Sequence, residues 1–181
     1  MNACQNYWKN TKMTNSFFNS CERIDDRYFK CFNDKVDWFK EINRNGDFDR
    51  IDWTCVNRTG TTTNCELKLR DNHINQYDDV YIEVDKYKHL MKRWKENKEI
   101  PLYINFFQDE KHVAVWDLRK INKMNYYPFA IIYNKGKQRW EEVERYGLFP
   151  RDSMFYKYNK ETDKYERQWQ DDYQEKKERN P

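Results

Sequence analysis

The chain reads as a mixed α/β protein of the α+β kind, a central mixed β-sheet flanked by helices, on three observations. Apolar residues recur at spacings of three and four in two stretches and alternate in several others. These stretches come in the order helix, hairpin, helix, hairpin. And although charged residues make up 36% of the 181 residues, 14 Tyr, 11 Phe and 7 Trp supply the apolar area a core needs. Only 4 Gly and 4 Pro argue against a loop-dominated fold.

Residues 1–14 are a polar lead-in. From Ser16 to about Arg44, Phe17, Cys21, Ile24, Tyr28, Phe32, Val36, Phe39 and Ile42 share one face of a long helix, which Asn45-Gly46-Asp47 ends. Strands follow at 50–56 and 62–69, joined by the turn composition Asn57-Arg58-Thr59-Gly60. Arg70 to Asp79 is a polar loop. Tyr81 to Val84 is extended, and Asp85 is a helix N-cap candidate. Tyr87, Leu90, Met91 and Trp94 then make the apolar stripe of a second helix, Lys86 to Asn97. Ile100 to Phe107 and Lys111 to Leu118 read as two strands around the turn Gln108-Asp109-Glu110. Beyond Ile121 comes an aromatic stretch, Tyr126 to Tyr133. A further hairpin follows, Phe155 to Tyr158 with Lys164 to Arg167, and then a charged tail, Asp171 to Pro181. The expected organisation is a core over residues 16–121 and an extension over 122–181, packed on the core or binding a partner.

Composition narrows the function. A net charge of +3 permits nucleic-acid binding through a local patch without requiring it. The five cysteines (Cys4, Cys21, Cys31, Cys55, Cys65) include no C-x-x-C pair. With three scattered histidines (His73, His89, His112), this argues against a structural zinc site. The thiols read as reduced core residues of a cytoplasmic protein. No apolar run approaches the ~18 residues a membrane helix needs, and the N-terminus lacks a signal layout. The small size and Asn/Lys/Tyr-rich composition suggest a bacterial or phage origin.

Chemistry concentrates in the first hairpin. Glu66 and Lys68 share one face of their strand, while Cys65, Leu67 and Leu69 share the other. On the preceding strand Ile51, Trp53 and Cys55 lie opposite Asp52. A turn centred on Thr59 pairs residues whose numbers sum to 118, setting Asp52 against Glu66 and Arg50 against Lys68. Two carboxylates at Cβ separations of ~4.5–5.5 Å repel. A divalent cation, with Lys68 beside it, would compensate. Asp52 and Glu66 then supply oxygen ligands, the Leu67 main-chain carbonyl a third, and Lys68 orients or deprotonates the attacking water or stabilises phosphate charge. Taken blandly, Glu66 and Lys68 are an exposed charge pair and Asp52 a turn residue.

Asp52 followed by Glu66-Leu67-Lys68, with a helix before and a helix and strands after, resembles the PD-(D/E)XK nuclease superfamily, in particular its resolvase-like and phage-type small members. The resemblance covers roughly residues 16–118. Ile51 stands where the family's proline often sits. It implies the restriction-endonuclease-like αβββαβ core, Mg²⁺ (or Mn²⁺) as cofactor and DNA as partner, with a homodimer possible because such nucleases often pair. It also implies Asp52, Glu66 and Lys68 as catalytic residues. An acidic residue on the first helix is an extra metal ligand in many members, and Glu22 is the candidate, with Asp25 and Asp26 as competitors. Lys86, Lys88 and Arg70 are the candidate DNA contacts. The rival expectation is a catalytically inactive module of the same fold that binds DNA or a protein partner.

Overall fold

A computed structural model describes residues 24–46, 49–73, 76–107, 112–134 and 138–168. Among these residues two α-helices and ten strands follow one another: α1 (Ile24–Val36), β1 (Phe39–Arg44), β2 (Trp53–Asn57), β3 (Thr62–Arg70), β4 (Val80–Glu83), α2 (Val84–Asn97), β5 (Ile100–Phe107), β6 (His112–Asp117), β7 (Asn125–Asn134), β8 (Arg139–Leu148), β9 (Met154–Asn159) and β10 (Lys164–Gln168). Seven strands form one mixed sheet in the order β1-β2-β3-β5-β6-β9-β10, and β4-β8-β7 form a second. The fold is therefore a mixed α/β architecture with a central sheet and flanking helices. The β3–β5 pair is parallel and α2 lies between its strands in sequence, as a crossover requires.

The central sheet separates two apolar layers. On one side Cys65, Leu67 and Ile104 pack with Tyr28, Phe29 and Phe32 of α1 and with Tyr156, Tyr158 and Tyr165 of the β9–β10 hairpin. On the other, Tyr103, Phe107 and Trp116 pack with Leu90 of α2, with Val80 and Ile82 of β4, and with Leu148 of β8. Alternation along β3 thus sends Leu67 into the first layer and Glu66 toward the second.

The first hairpin has the expected register: Trp53 pairs with Cys65, Thr54 with Asn64, Cys55 with Thr63 and Val56 with Thr62. Asn57 closes the turn. Its side-chain oxygen accepts the Thr59 and Thr61 N–H groups at 3.0 and 2.8 Å, and Gly60 takes a φ of +85°, where a side chain is disfavoured.

Three expectations need correction. The first helix does not run to Arg44: it stops at Val36, and Phe39–Arg44 is an edge strand. Asn33 causes the break. Its carboxamide accepts the Phe39 N–H at 2.9 Å and donates to the Phe39 carbonyl at 3.1 Å, while Asp37 takes a left-handed φ of 55°. Those bonds replace the helical ones Phe39 would have made. Phe17 and Cys21 lie outside the described residues, as do Gln108 to Glu110 and the charged tail.

Ile51 does not share a face with Trp53 and Cys55. It packs in the α2 layer, because regular pairing ends at Trp53 and the chain bends at 49–52. The second helix begins at Val84, with Glu83 rather than Asp85 at its N-cap. Residues 139–148, to which the sequence assigns no element, form the middle strand of the second sheet. A Cβ at Gly147 would collide with the Asp79 carboxylate, which accepts from the Tyr127 hydroxyl at 2.6 Å and from Asn125 at 2.9 Å.

Candidate functional site

The site forms where β2 begins at Trp53, opposite Cys65, while β3 runs on to Arg70. Asp52 precedes the first paired residue, and its carboxylate Oδ2 accepts the Leu67 N–H at 2.8 Å, taking the place of a ladder carbonyl. A strand residue's N–H and C=O project from the same edge, so the Leu67 carbonyl also faces the β2 side. Ile51 cannot take the ladder position, because its own N–H is bound by Asp49 Oδ1 and its carbonyl by the Asn45 amide. Asp52 is therefore held at β3 by the chain's bend.

Glu66, the next residue on β3, is 9% exposed. Lys86, from the first turn of α2, places its Nζ 3.0 Å from each Glu66 oxygen and 2.9 Å from the Arg50 carbonyl. Burial and the neighbouring Asp52 carboxylate push the Glu66 carboxyl up to about 8, against the opposing pull of Lys86 and Lys68. The structure thus brings together Asp52, Glu66, Lys86 and the Leu67 backbone, with Lys68 exposed on the Glu66 face.

Other candidates lie elsewhere. Asp26 is on the opposite side of the sheet: it accepts from Trp53 Nε1 at 2.9 Å and pairs with Arg44 Nε at 2.7 Å, pinning α1 to the hairpin. Glu22 lies outside the described residues. Lys88 is exposed on α2. Arg70 is fixed inside the wall of the cleft, donating to Asn105 Oδ1 at 2.8 Å, the Tyr81 carbonyl at 2.8 Å and the Tyr103 hydroxyl at 2.9 Å.

Glu66 opens on a cleft of about 420 Å³ between the central sheet and the second sheet. Its walls carry four cations (Lys68, Arg70, Lys86, Arg145) against two carboxylates (Glu66, Glu83), an excess that favours an anion. Tyr81, Tyr103 and Trp140 also line it. Sequence reasoning missed Arg145, Tyr81 and Trp140. The available signal was the alternation of Val143, Arg145 and Gly147 with Glu142, Glu144 and Tyr146, faint because both sets mix polar and apolar residues.

The donor set suits a hard divalent ion. It offers two carboxylates and a carbonyl, all oxygen, and Mg²⁺ characteristically uses one or two protein carboxylates and keeps several waters. Among the described residues no group of three or more His, Cys, Asp or Glu side chains converges.

No family model matches the sequence, and no curated protein matches it. Among solved structures, a Holliday junction resolvase, Hjc, from the archaeal hyperthermophile Archaeoglobus fulgidus is similar at 13% identity and a TM-score of 0.39, over 68% of this chain and 82% of that one. Among the described residues no helix is long and apolar enough to cross a membrane.

Proposed function

We propose that this chain is a metal-dependent nuclease of the PD-(D/E)XK type that hydrolyses phosphodiester bonds in DNA. The observation that carries the reading is the Asp52 carboxylate seated on the Leu67 N–H beside a buried Glu66 with a raised pKa, at the mouth of a cationic cleft. Such a like-charge arrangement is costly alone and is relieved by a cation between the groups.

Asp52, Glu66 and the Leu67 carbonyl would hold Mg²⁺ or Mn²⁺, which supplies a bound water of lowered pKa and a Lewis acid for the phosphate. Lys68, exposed on the same face, reaches the phosphate or the attacking water. Lys86 fixes the Glu66 carboxylate and neutralises it. Arg70, rigidly bonded in the wall and lacking an ion-pair partner among the described residues, adds fixed positive charge along the path of a DNA backbone, with Lys88 on the exposed face of α2.

One observation favours a second reading, a non-catalytic DNA- or protein-binding module: Lys86 already neutralises Glu66. On that reading binding is indifferent to Asp52, Glu66 and metal.

Nicking of plasmid, single-stranded and branched DNA with Mg²⁺ or Mn²⁺ separates the two. Metal-dependent cleavage is expected from the natural chain. Asp52→Asn, Glu66→Gln and Lys68→Ala should each lose on the order of 100-fold or more, as removal of a catalytic electrostatic group does. Mn²⁺ should raise the melting temperature, and Asp52→Asn should abolish that rise. Absence of metal-dependent cleavage on all three substrates would reject the enzyme.

A further inference from the structure

Two guanidinium groups share one aromatic ring in the wall of the cleft. Across the β4–β8 ladder Glu83 stands opposite Arg145 and Tyr81 opposite Gly147, so Arg145 and Tyr81 are diagonal neighbours on one face. The Arg145 guanidinium lies 3.8 Å from the centre of the Tyr81 ring, and that of Arg70 lies 4.7 Å from the same centre. No carboxylate among the described residues, Glu83 included, forms an ion pair with either.

Arg145 is the less satisfied of the two. Arg70 donates its Nε and Nη2 to Asn105, Tyr81 and Tyr103. The Arg145 side chain makes no hydrogen bond to a described residue, and its Nε is buried without a partner. Contact with a ring satisfies the face of a guanidinium and leaves its N–H groups, which lie in its plane, still to be bonded. Arg145 is only 7% exposed and lines the cleft. A cation buried without a counter-ion is costly, and an anion in the cleft offsets that cost.

The position along β3 narrows the kind of anion. Glu66, Lys68 and Arg70 follow one another on a single face of the strand, and all three line the cleft. At ~3.3 Å per residue, Arg70 and the ring it shares with Arg145 lie ~13 Å along the strand from Glu66. An anion on Arg145 is therefore a different group from one reacting beside Asp52 and Glu66. A polyanion with regularly spaced charges reaches both places. A nucleic-acid strand is such a polyanion: it advances ~3.4 Å per phosphate along its helix axis, so ~13 Å separates groups a few phosphates apart. The planar donors of a guanidinium also match two oxygens of one phosphate.

We propose that Arg145 binds one backbone phosphate of a DNA strand lying in the cleft, a few phosphates from the bond that is cleaved. That the strand is cleaved rests on the nuclease reading; the contact itself needs neither metal nor cleavage. A phosphate contact carries no base information, so Arg145 strengthens binding alike on all sequences.

The test is fluorescence anisotropy of short labelled DNA, single-stranded and duplex, between about 50 and 200 mM salt, with chelator present so that nothing is cut. On the form that binds more tightly, Arg145→Gln should weaken binding roughly 10-fold or more. It should also reduce the slope of log affinity against log salt, by about 0.9 for a duplex or about 0.7 for a single strand. Arg145→Lys, which keeps the charge and loses the planar fork, should restore the slope and part of the affinity. A measurement on the natural chain decides if Arg145→Gln does not fold: the Nε–H resonance of Arg145 should shift as DNA is added. Where Mg²⁺-dependent cleavage is found, Arg145→Gln should raise KM and leave kcat within about 2-fold, because the contact lies away from the reacting group.

Unchanged affinity in Arg145→Gln, weaker binding with an unchanged salt slope, an unmoved Nε–H resonance, or no DNA binding by the natural chain would overturn the proposal. A fall in kcat at saturating DNA would put Arg145 at the reacting phosphate and overturn its placement. Loss of affinity and slope in Arg145→Gln, with no cleavage of any DNA by the natural chain, would sink the nuclease reading and keep this contact. Metal-dependent cleavage with binding indifferent to Arg145 would do the reverse.

Discussion

Glu66 is buried beside Asp52, and its proton equilibrium follows from that placement. The carboxyl titrates near 8 in the folded chain and near 4.5 when unfolded. Between those values the folded state holds the proton that the unfolded state has released, so stability declines as pH rises through the window and levels above it. Glu66→Gln has nothing to titrate. In metal-free buffer the two proteins should melt alike near pH 5, and the variant should be the more stable by pH 9, by on the order of a few kcal/mol at most. Melting curves across that range, with chelator, measure it; parallel pH profiles would mean that Glu66 is not confined beside Asp52. Much of this was legible in the residues, because period-two alternation and a turn centred on Thr59 place Glu66 and Asp52 together. What alternation does not convey is that Asp52 reaches the backbone of Leu67, since that depends on where pairing ends.

At the scale of elements, the instructive case is the boundary between α1 and β1. Val36, Phe39 and Ile42 are spaced as a helix face requires, and the helical stripe extends through them. The structure resolves the ambiguity through one side chain: Asn33, 8% exposed, binds both the N–H and the carbonyl of Phe39 and turns the chain into the sheet edge. Side-chain bonds to the backbone compete with helix, and hydrophobic spacing carries no record of them. Asn33→Ala removes both bonds and leaves two backbone groups buried without partners, at a cost of about 1–3 kcal/mol. Urea unfolding should show a lower midpoint with an unchanged slope. Asn33→Asp should recover only part, since a carboxylate can accept from Phe39 N–H but cannot donate to its carbonyl. The β8 strand escaped notice for a different reason: with much of its length exposed, it lacks the apolar face that marks a strand in a sequence.

For the whole molecule the question is how far the site-bearing half depends on the residues after 121. The β9–β10 hairpin is readable as two alternating runs, but alternation identifies a face and not a neighbour, so its sheet position was not readable. The structure places β9 against β6, with Val113 opposite Tyr156, and drives Tyr156, Tyr158 and Tyr165 into the layer beneath α1. Phe32 meets the rings of Tyr165 and Tyr156 at 5.0 and 5.4 Å, and Lys35 pairs with Asp163 at 2.8 Å. On the other face, Leu148 fills the layer that carries Tyr103 and Trp116. Burial of each large apolar side chain contributes about 1.5–3 kcal/mol, so losing four such residues approaches or exceeds the ~5–15 kcal/mol by which a domain is stable. Cutting there also opens the β6 edge, a row of unpaired backbone groups prone to intermolecular pairing. A chain ending at residue 121 should therefore show no cooperative thermal transition by circular dichroism and should aggregate at micromolar concentration. A sharp transition in the shorter chain, with Mn²⁺ stabilisation intact, would show that the acidic site stands without the residues after 121 and that the later strands serve only the cleft.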